Sequence, residues 1–294
     1  MLNAVIGALV SRGWFDTHQP YEKVVLLTRG SGVSMLLTRS GMLDTHVKFS
    51  ESADLGDEAE RCAAACRSYP RLAARFVGHV RQDGLDILAT QAVEHVALSA
   101  QGLAQSDLAS PVLRGLVDYF GSIRSAHAPP LPSALANRDL VPTLRQFFAD
   151  LPIAPLALRW LDDRLHARVC GLPDQAQHGD LVVNNLGLAA NGLVIFDWED
   201  FGRLSVPGLD LYTLRMSAGW GLPAARAAAA PHLRHLPALV QRLCAAQGQA
   251  LADFESLIPL YLLAFRFLKR AYGPEVRARM DRWLLSCLAE PPPR

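Results

Sequence analysis

The string His178-Gly-Asp-Leu-Val-Val-Asn-Asn185, followed closely by Phe196-Asp-Trp-Glu199, constrains this chain more than any other feature. Between the two lie short apolar runs on either side of Asn191-Gly192, the strongest short hairpin signal in the sequence, because both residues tolerate the left-handed backbone that a tight hairpin turn needs. A hairpin here folds back and brings its exit, with Asp197, towards the loop that carries Asp180 and Asn185. One carboxylate can then accept a proton from an acceptor hydroxyl. The other carboxylate and the amide oxygen are hard ligands suited to Mg²⁺. Such a set is equipped for phosphoryl transfer.

The rest of the chain divides into two patterns. Up to about residue 92 the signals are short strands with turns: 23–28, a glycine loop over 29–34, 35–39, then Thr45-His-Val-Lys-Phe49. Alternation in the last of these sends His46 and Lys48 to one face and Val47 and Phe49 to the other. A helix follows from Asp54 to Cys66, with an acidic first turn and an alanine-rich body, and Pro70 ends it. Strands 76–79 and 85–91 flank the Gln82-Asp83-Gly84 turn. From residue 93 apolar residues recur at three- and four-residue spacing, over 111–124, 140–148 and 155–169, and helices resume from Leu211. The expectation is therefore an α+β chain with an antiparallel sheet lobe at 1–92 and a mainly helical lobe at 93–294.

The spacing from Asp180 to Asn185 is that of the protein-kinase catalytic loop, with Gly179 in place of its arginine. The whole string, with the hairpin and Ile195-Phe-Asp-Trp-Glu199, resembles the aminoglycoside phosphotransferase and choline kinase superfamily, small-molecule kinases with a protein-kinase-like two-lobed fold. The resemblance runs through most of the chain in order: glycine loop, strand lysine, helix glutamate, hinge, helical lobe. It implies ATP and Mg²⁺, with Asp180 as catalytic base and Asn185 and Asp197 as metal ligands. The backbone of the loop at Gly30, Ser31 and Gly32 would cover the phosphates. Lys48 would reach them and pair with Glu58, with Glu60 the alternative. Adenine would meet main-chain groups between Gln91 and Val93. Asp210 resembles the family aspartate that accepts hydrogen bonds from the catalytic-loop backbone, and His178 would pack to hold that loop.

Two decoys are set aside. Asp200-Phe-Gly202 spells the metal-binding triplet of protein kinases, but Asp197 leaves the hairpin directly and Asp200 lies three residues further on. Asn184 is one residue short of the loop spacing. Glu199 resembles a family glutamate that stands behind the metal ligands or faces the acceptor, and a solvated rim carboxylate is the equal alternative. His232 and His235 lack partners at metal-ligand spacing, and the five scattered cysteines suit buried thiols better than a disulfide framework.

The acceptor is the open question. The formal net charge is +1, too small a field to hold nucleic acid by charge alone, yet residues 1–200 sum to −5 and residues 201–294 to +6. Aminoglycosides are polycations and would be expected to meet carboxylates, whereas the second half offers Arg203, Arg215, Arg266 and Arg270. A neutral or anionic hydroxyl compound, such as a sugar or a hydroxylated metabolite, is the better expectation. An aminoglycoside or choline-type amino alcohol, or a non-catalytic nucleotide-binding relative, is the alternative. No run of eighteen apolar residues occurs and no signal peptide is evident, so a cytoplasmic monomer or homodimer without membrane contact is expected. Arg makes up 26 of the 29 basic residues, which makes the three lysines, Lys23, Lys48 and Lys269, conspicuous.

Overall fold

Alternation at 45–49 is realised as β3 (Met42–Ser50), the middle strand of a five-stranded antiparallel sheet. Its neighbours are β1 (Lys23–Arg29), β2 (Gly32–Arg39), β4 (Phe76–Gln82) and β5 (Leu85–Gln91), in the order β1-β2-β3-β5-β4. The computed structural model describes residues 2–14, 23–29, 32–39, 42–104, 110–125, 134–218 and 236–289. Gly30 and Ser31 of the glycine loop, and His232 and His235, lie outside them. The chain forms two compact units, one of residues 1–97 with 186–199 and one of residues 98–185 with 200–294.

In the first unit Val47 and Phe49 point into a core with Met35, Leu37, Val80, Ile87 and Ala89, each almost fully removed from water. Each of the larger side chains in this set contributes roughly 1.5–3 kcal/mol of burial, and a slip of one residue would expose the whole set. The register Ser34↔Lys48 and Lys48↔Leu88 therefore places Lys48 on the opposite face. The same core holds α1 (Leu2–Ser11), through Val5, Ala8 and Leu9. The sequence gives no sign of an element there, because an apolar opening without an acidic first turn carries no capping signal. Helix α2 (Gly56–Ser68) starts two residues later than expected and buries Ala59, Cys62 and Ala65. A second sheet, β6 (Val96–Ala97), β7 (Leu186–Ala189) and β8 (Gly192–Ile195), is antiparallel in that order. It joins the first unit through the Ile195 N–H, which donates to the Leu72 carbonyl at 2.7 Å.

The second unit is helical: α3 (Ala100–Ala104), α4 (Pro111–Ser125), α5 (Asn137–Ala149), α6 (Ala154–Trp160), α7 (Asp163–Cys170), α8 (Leu209–Ser217), α9 (Leu236–Gln247), α10 (Leu251–Ser256), α11 (Ile258–Leu268) and α12 (Pro274–Leu288). The single helix expected over 155–169 is two. Asp162 has extended backbone and its carboxylate accepts from the Leu165 N–H at 2.7 Å, a cap that starts α7 afresh. Among the described residues no helix is long and apolar enough to cross a membrane.

Candidate active site

In the first unit the Lys48 ammonium lies 2.7 Å from Glu58 Oε2 and 3.3 Å from Glu199 Oε2. Strand alternation lifts Lys48 off the core face, and Glu58 stands in the acidic first turn of α2, where carboxylates favour the helix dipole. Glu60, the alternative partner, is exposed on the same helix. Burial alone would push the Lys48 ammonium down. Glu58, Glu199 and Asp197 outweigh it and hold the group above its usual range. Burial pushes Glu58 up, against the pull of Lys48 and with the help of the other two carboxylates. Three carboxylates thus act on this one ammonium. Asp197 has φ +60, left-handed backbone that is uncommon outside glycine and that aspartate tolerates. At the end of β5, Gln91 is exposed, and the Val93 carbonyl is bonded to His95 Nδ1 at 2.8 Å. The Val93 N–H has no partner among the described residues.

In the second unit the loop at 178–185 is fastened from below. Asp210, fully buried near the start of α8, accepts the His178 N–H and the Gly179 N–H, each at 2.7 Å, and the Tyr119 hydroxyl. Burial pushes the Asp210 carboxyl up, while His178 and these donors pull the other way. His178 is buried too, and its Nδ1 accepts the Asp180 N–H at 3.2 Å. Leu181 and Val183 bury their side chains, and Thr213 and Ser217 of α8 bond the loop backbone at 3.1 and 3.0 Å. Gly179 has φ +86, and a Cβ there would stand 2.8 Å from the Asp200 carbonyl oxygen. An arginine therefore has no place at this position.

The loop aspartate has a partner that the motifs do not reveal. Lys269 Nζ, in the turn after α11, lies 2.7 Å from Asp180 Oδ2 and 2.8 Å from Asp200 Oδ2. The Lys269 side chain is 4% exposed. Burial would lower this ammonium, and Asp200 and Asp180 more than reverse that, leaving it above its usual range. The Phe265 and Tyr272 rings lie 5.7 and 5.3 Å away. Asp200 Oδ1 faces Arg203 at 3.1 Å. The one signal for Lys269 in the sequence was its rarity among arginines.

The residues present suit Mg²⁺ in type. Asn185 Nδ2 donates to the Asp180 carbonyl at 2.9 Å, and its amide oxygen has no partner among the described residues. Asp197, in the first unit, is a carboxylate and so suits the ion in type as well. Magnesium bound beside nucleotide phosphates needs only one or two such protein oxygens. Among the described residues no group of three His, Cys, Asp or Glu could hold a metal by itself.

No family model matches the sequence, and no curated protein matches it. Solved structures do match in fold. A choline/ethanolamine kinase family protein from Mesorhizobium loti aligns with a TM-score of 0.61 at 14% identity, covering 97% of this chain and 93% of that one. The aminoglycoside phosphotransferase APH(4)-Ia aligns with a TM-score of 0.62 at 14% identity, covering 98% of each chain. A thermostable mutant of that enzyme has been crystallised with ADP and hygromycin B. The choline kinase LicA from Streptococcus pneumoniae gives a TM-score of 0.58 at 10% identity, over 97% of this chain and 99% of that one. The chain thus has the protein-kinase-like α+β fold of the small-molecule kinases along nearly its whole length.

Proposed function

We propose that this protein transfers the γ-phosphoryl group of ATP to a hydroxyl of a small molecule. The observation that carries the reading is the Asp180 carboxylate. It stands on a loop whose backbone is bonded to a buried aspartate, and its Oδ1 has no partner among the described residues. In this fold an oxygen so held is suited to accept and orient an acceptor hydroxyl. Lys48, kept charged by Glu58, would take the α/β-phosphates, Gly30 to Gly32 would cover them by backbone, and main-chain groups from Gln91 to Val93 would take the adenine. Asn185 and Asp197 would hold Mg²⁺, which neutralises phosphate charge as the transfer proceeds.

For the acceptor, a neutral or anionic compound is favoured over a polycation. Arg266 is committed to Asp281 at 2.6 and 3.2 Å and drops out of the argument. Arg203 stays beside Asp200, and Arg270 lies over the Phe267 ring at 4.1 Å. Burial lowers Arg270, and the nearby charge of Arg203 lowers it further. Asp180 and Asp200 already share Lys269, and Asp200 also faces Arg203, so their negative charge is largely offset. An aminoglycoside would find little uncompensated carboxylate there.

The test is ADP release from Mg·ATP with glucosamine, glucose, glucose 6-phosphate, choline and adenosine, run beside Asp180→Asn. Turnover of glucose or glucose 6-phosphate above glucosamine and choline is expected, falling about 10²–10⁴-fold in Asp180→Asn. Equal turnover by that variant would overturn the assignment. Absence of any Mg·ATP-induced rise in melting temperature would favour a non-catalytic relative.

A further inference from the structure

Lys269 has no part in the motifs that point to phosphoryl transfer, yet its ammonium lies between the proposed base and a second buried carboxylate. Both ion-pair distances are short, 2.7 Å to Asp180 and 2.8 Å to Asp200, and Lys269 and Asp200 are 4% and 5% exposed. Burying an ammonium is costly unless each of its protons finds an acceptor. The chain places one here, in the turn that ends the buried helix α11. Both partners have defined supports. Asp180 belongs to the loop fastened to Asp210, and Asp200 is pinned on its other oxygen by Arg203 at 3.1 Å.

We propose that Lys269 is a positioning residue for the reaction: it binds Asp180 Oδ2, is itself aimed by Asp200, and thereby presents Asp180 Oδ1 to the acceptor hydroxyl. This rests on the phosphotransfer reading above and extends it to two residues outside the motif. A carboxylate on an aspartate side chain turns freely unless one oxygen is held. With Oδ2 bonded to an ammonium that is anchored at its far end, the remaining oxygen has a defined direction. Misplacement of a reacting group by about 1 Å costs on the order of 10²-fold in rate. The triplet Asp200-Phe-Gly202 thus acquires a part other than metal binding, since Asp200 is saturated by Lys269 and Arg203.

The experiment compares wild type, Asp180→Asn, Lys269→Met and Lys269→Arg by ADP release from Mg·ATP. The acceptor is whichever of glucosamine, glucose, glucose 6-phosphate, choline and adenosine the wild type turns over fastest, and melting curves are recorded alongside. Lys269→Met is expected to lose about 10²-fold in kcat, with KM for ATP within about threefold of wild type. Lys269→Arg retains more activity than Lys269→Met. A lysine that served folding alone would lower the melting temperature and leave kcat of the folded fraction unchanged, and that result would overturn the proposal. Should Lys269→Met not fold, Lys269→Met/Asp200→Asn, which leaves one stranded carboxylate instead of two, carries the same expectation against Asp200→Asn. Full activity in the folded lysine variant with an inactive Asp180→Asn refutes the role of Lys269 alone. A wild type inert towards all five compounds refutes the phosphotransfer reading and this inference with it.

Discussion

Lys48 and Lys269 each set one ammonium among carboxylates, one in each unit, and they differ in how far water reaches them. Lys48 is 26% exposed, with partners 16% and 33% exposed. Lys269 is 4% exposed, with partners 15% and 5% exposed. The first cluster has an ammonium that water reaches in part. The second has its charges turned on one another and sealed. An ion pair open to solvent is worth little to stability and is available to a ligand. A buried pair is costly to break from one side, because removing one partner strands the other. The contrast suits the roles proposed above, ligand binding for Lys48 and internal order for Lys269.

Removing the two ammonium groups tests this most sharply. Lys269→Met strands Asp180 and Asp200 and is expected to cost about 3–5 kcal/mol in chemical denaturation. Lys48→Met is expected to cost about 1 kcal/mol or less by the same measurement. Its loss belongs in nucleotide binding instead, with KM for ATP raised roughly 10–100-fold, as expected for one charge-assisted contact. Equal losses of stability from the two would break the comparison.

Gly179 offers a smaller test of the sealed cluster. Its positive φ opposes any side chain, and so does the Asp200 carbonyl oxygen, 2.8 Å from where an added Cβ would stand, whereas Gly192, with φ +116, has open space around it. Gly192→Ala meets backbone strain alone, about 1–3 kcal/mol, and Gly179→Ala should exceed it by about 1–3 kcal/mol for the collision. Thermal melts of the two variants measure the difference.

The pH dependence is the subtlest. Lys269 is held above its ordinary value, so its contribution to stability is complete below the unfolded-state pKa of about 10.4 and fades only as pH rises through the higher folded value. The gap in melting temperature between wild type and Lys269→Met should therefore stay constant from pH 7 to pH 9.5. A gap that shrinks across that window would mean the ammonium is not paired with Asp180 and Asp200.

How much of this was legible in the sequence follows the range of each interaction. Strand alternation at 45–49, the hairpin signal around Asn191 and the acidic start of α2 are local, so the sheet, the hairpin and the face carrying Lys48 could be read directly, although the turn itself falls on Ala190 and Asn191 and Gly192 opens β8. Helix α1 was not legible because it gains its place from burial of Val5, Ala8 and Leu9 and carries no end signals. The break at Asp162 was not legible because a capping aspartate inside an apolar periodicity looks like a solvated face.

By itself the sequence determined the loop of Asp180 and Asn185, the exit of Asp197 and the two-part α+β plan, since each rests on residues a few positions apart. Only the tertiary structure decided that Lys269, 89 residues from Asp180, closes on it and on Asp200. A buried charge chooses its partner by what the fold removes from water, and no spacing along the chain records that choice.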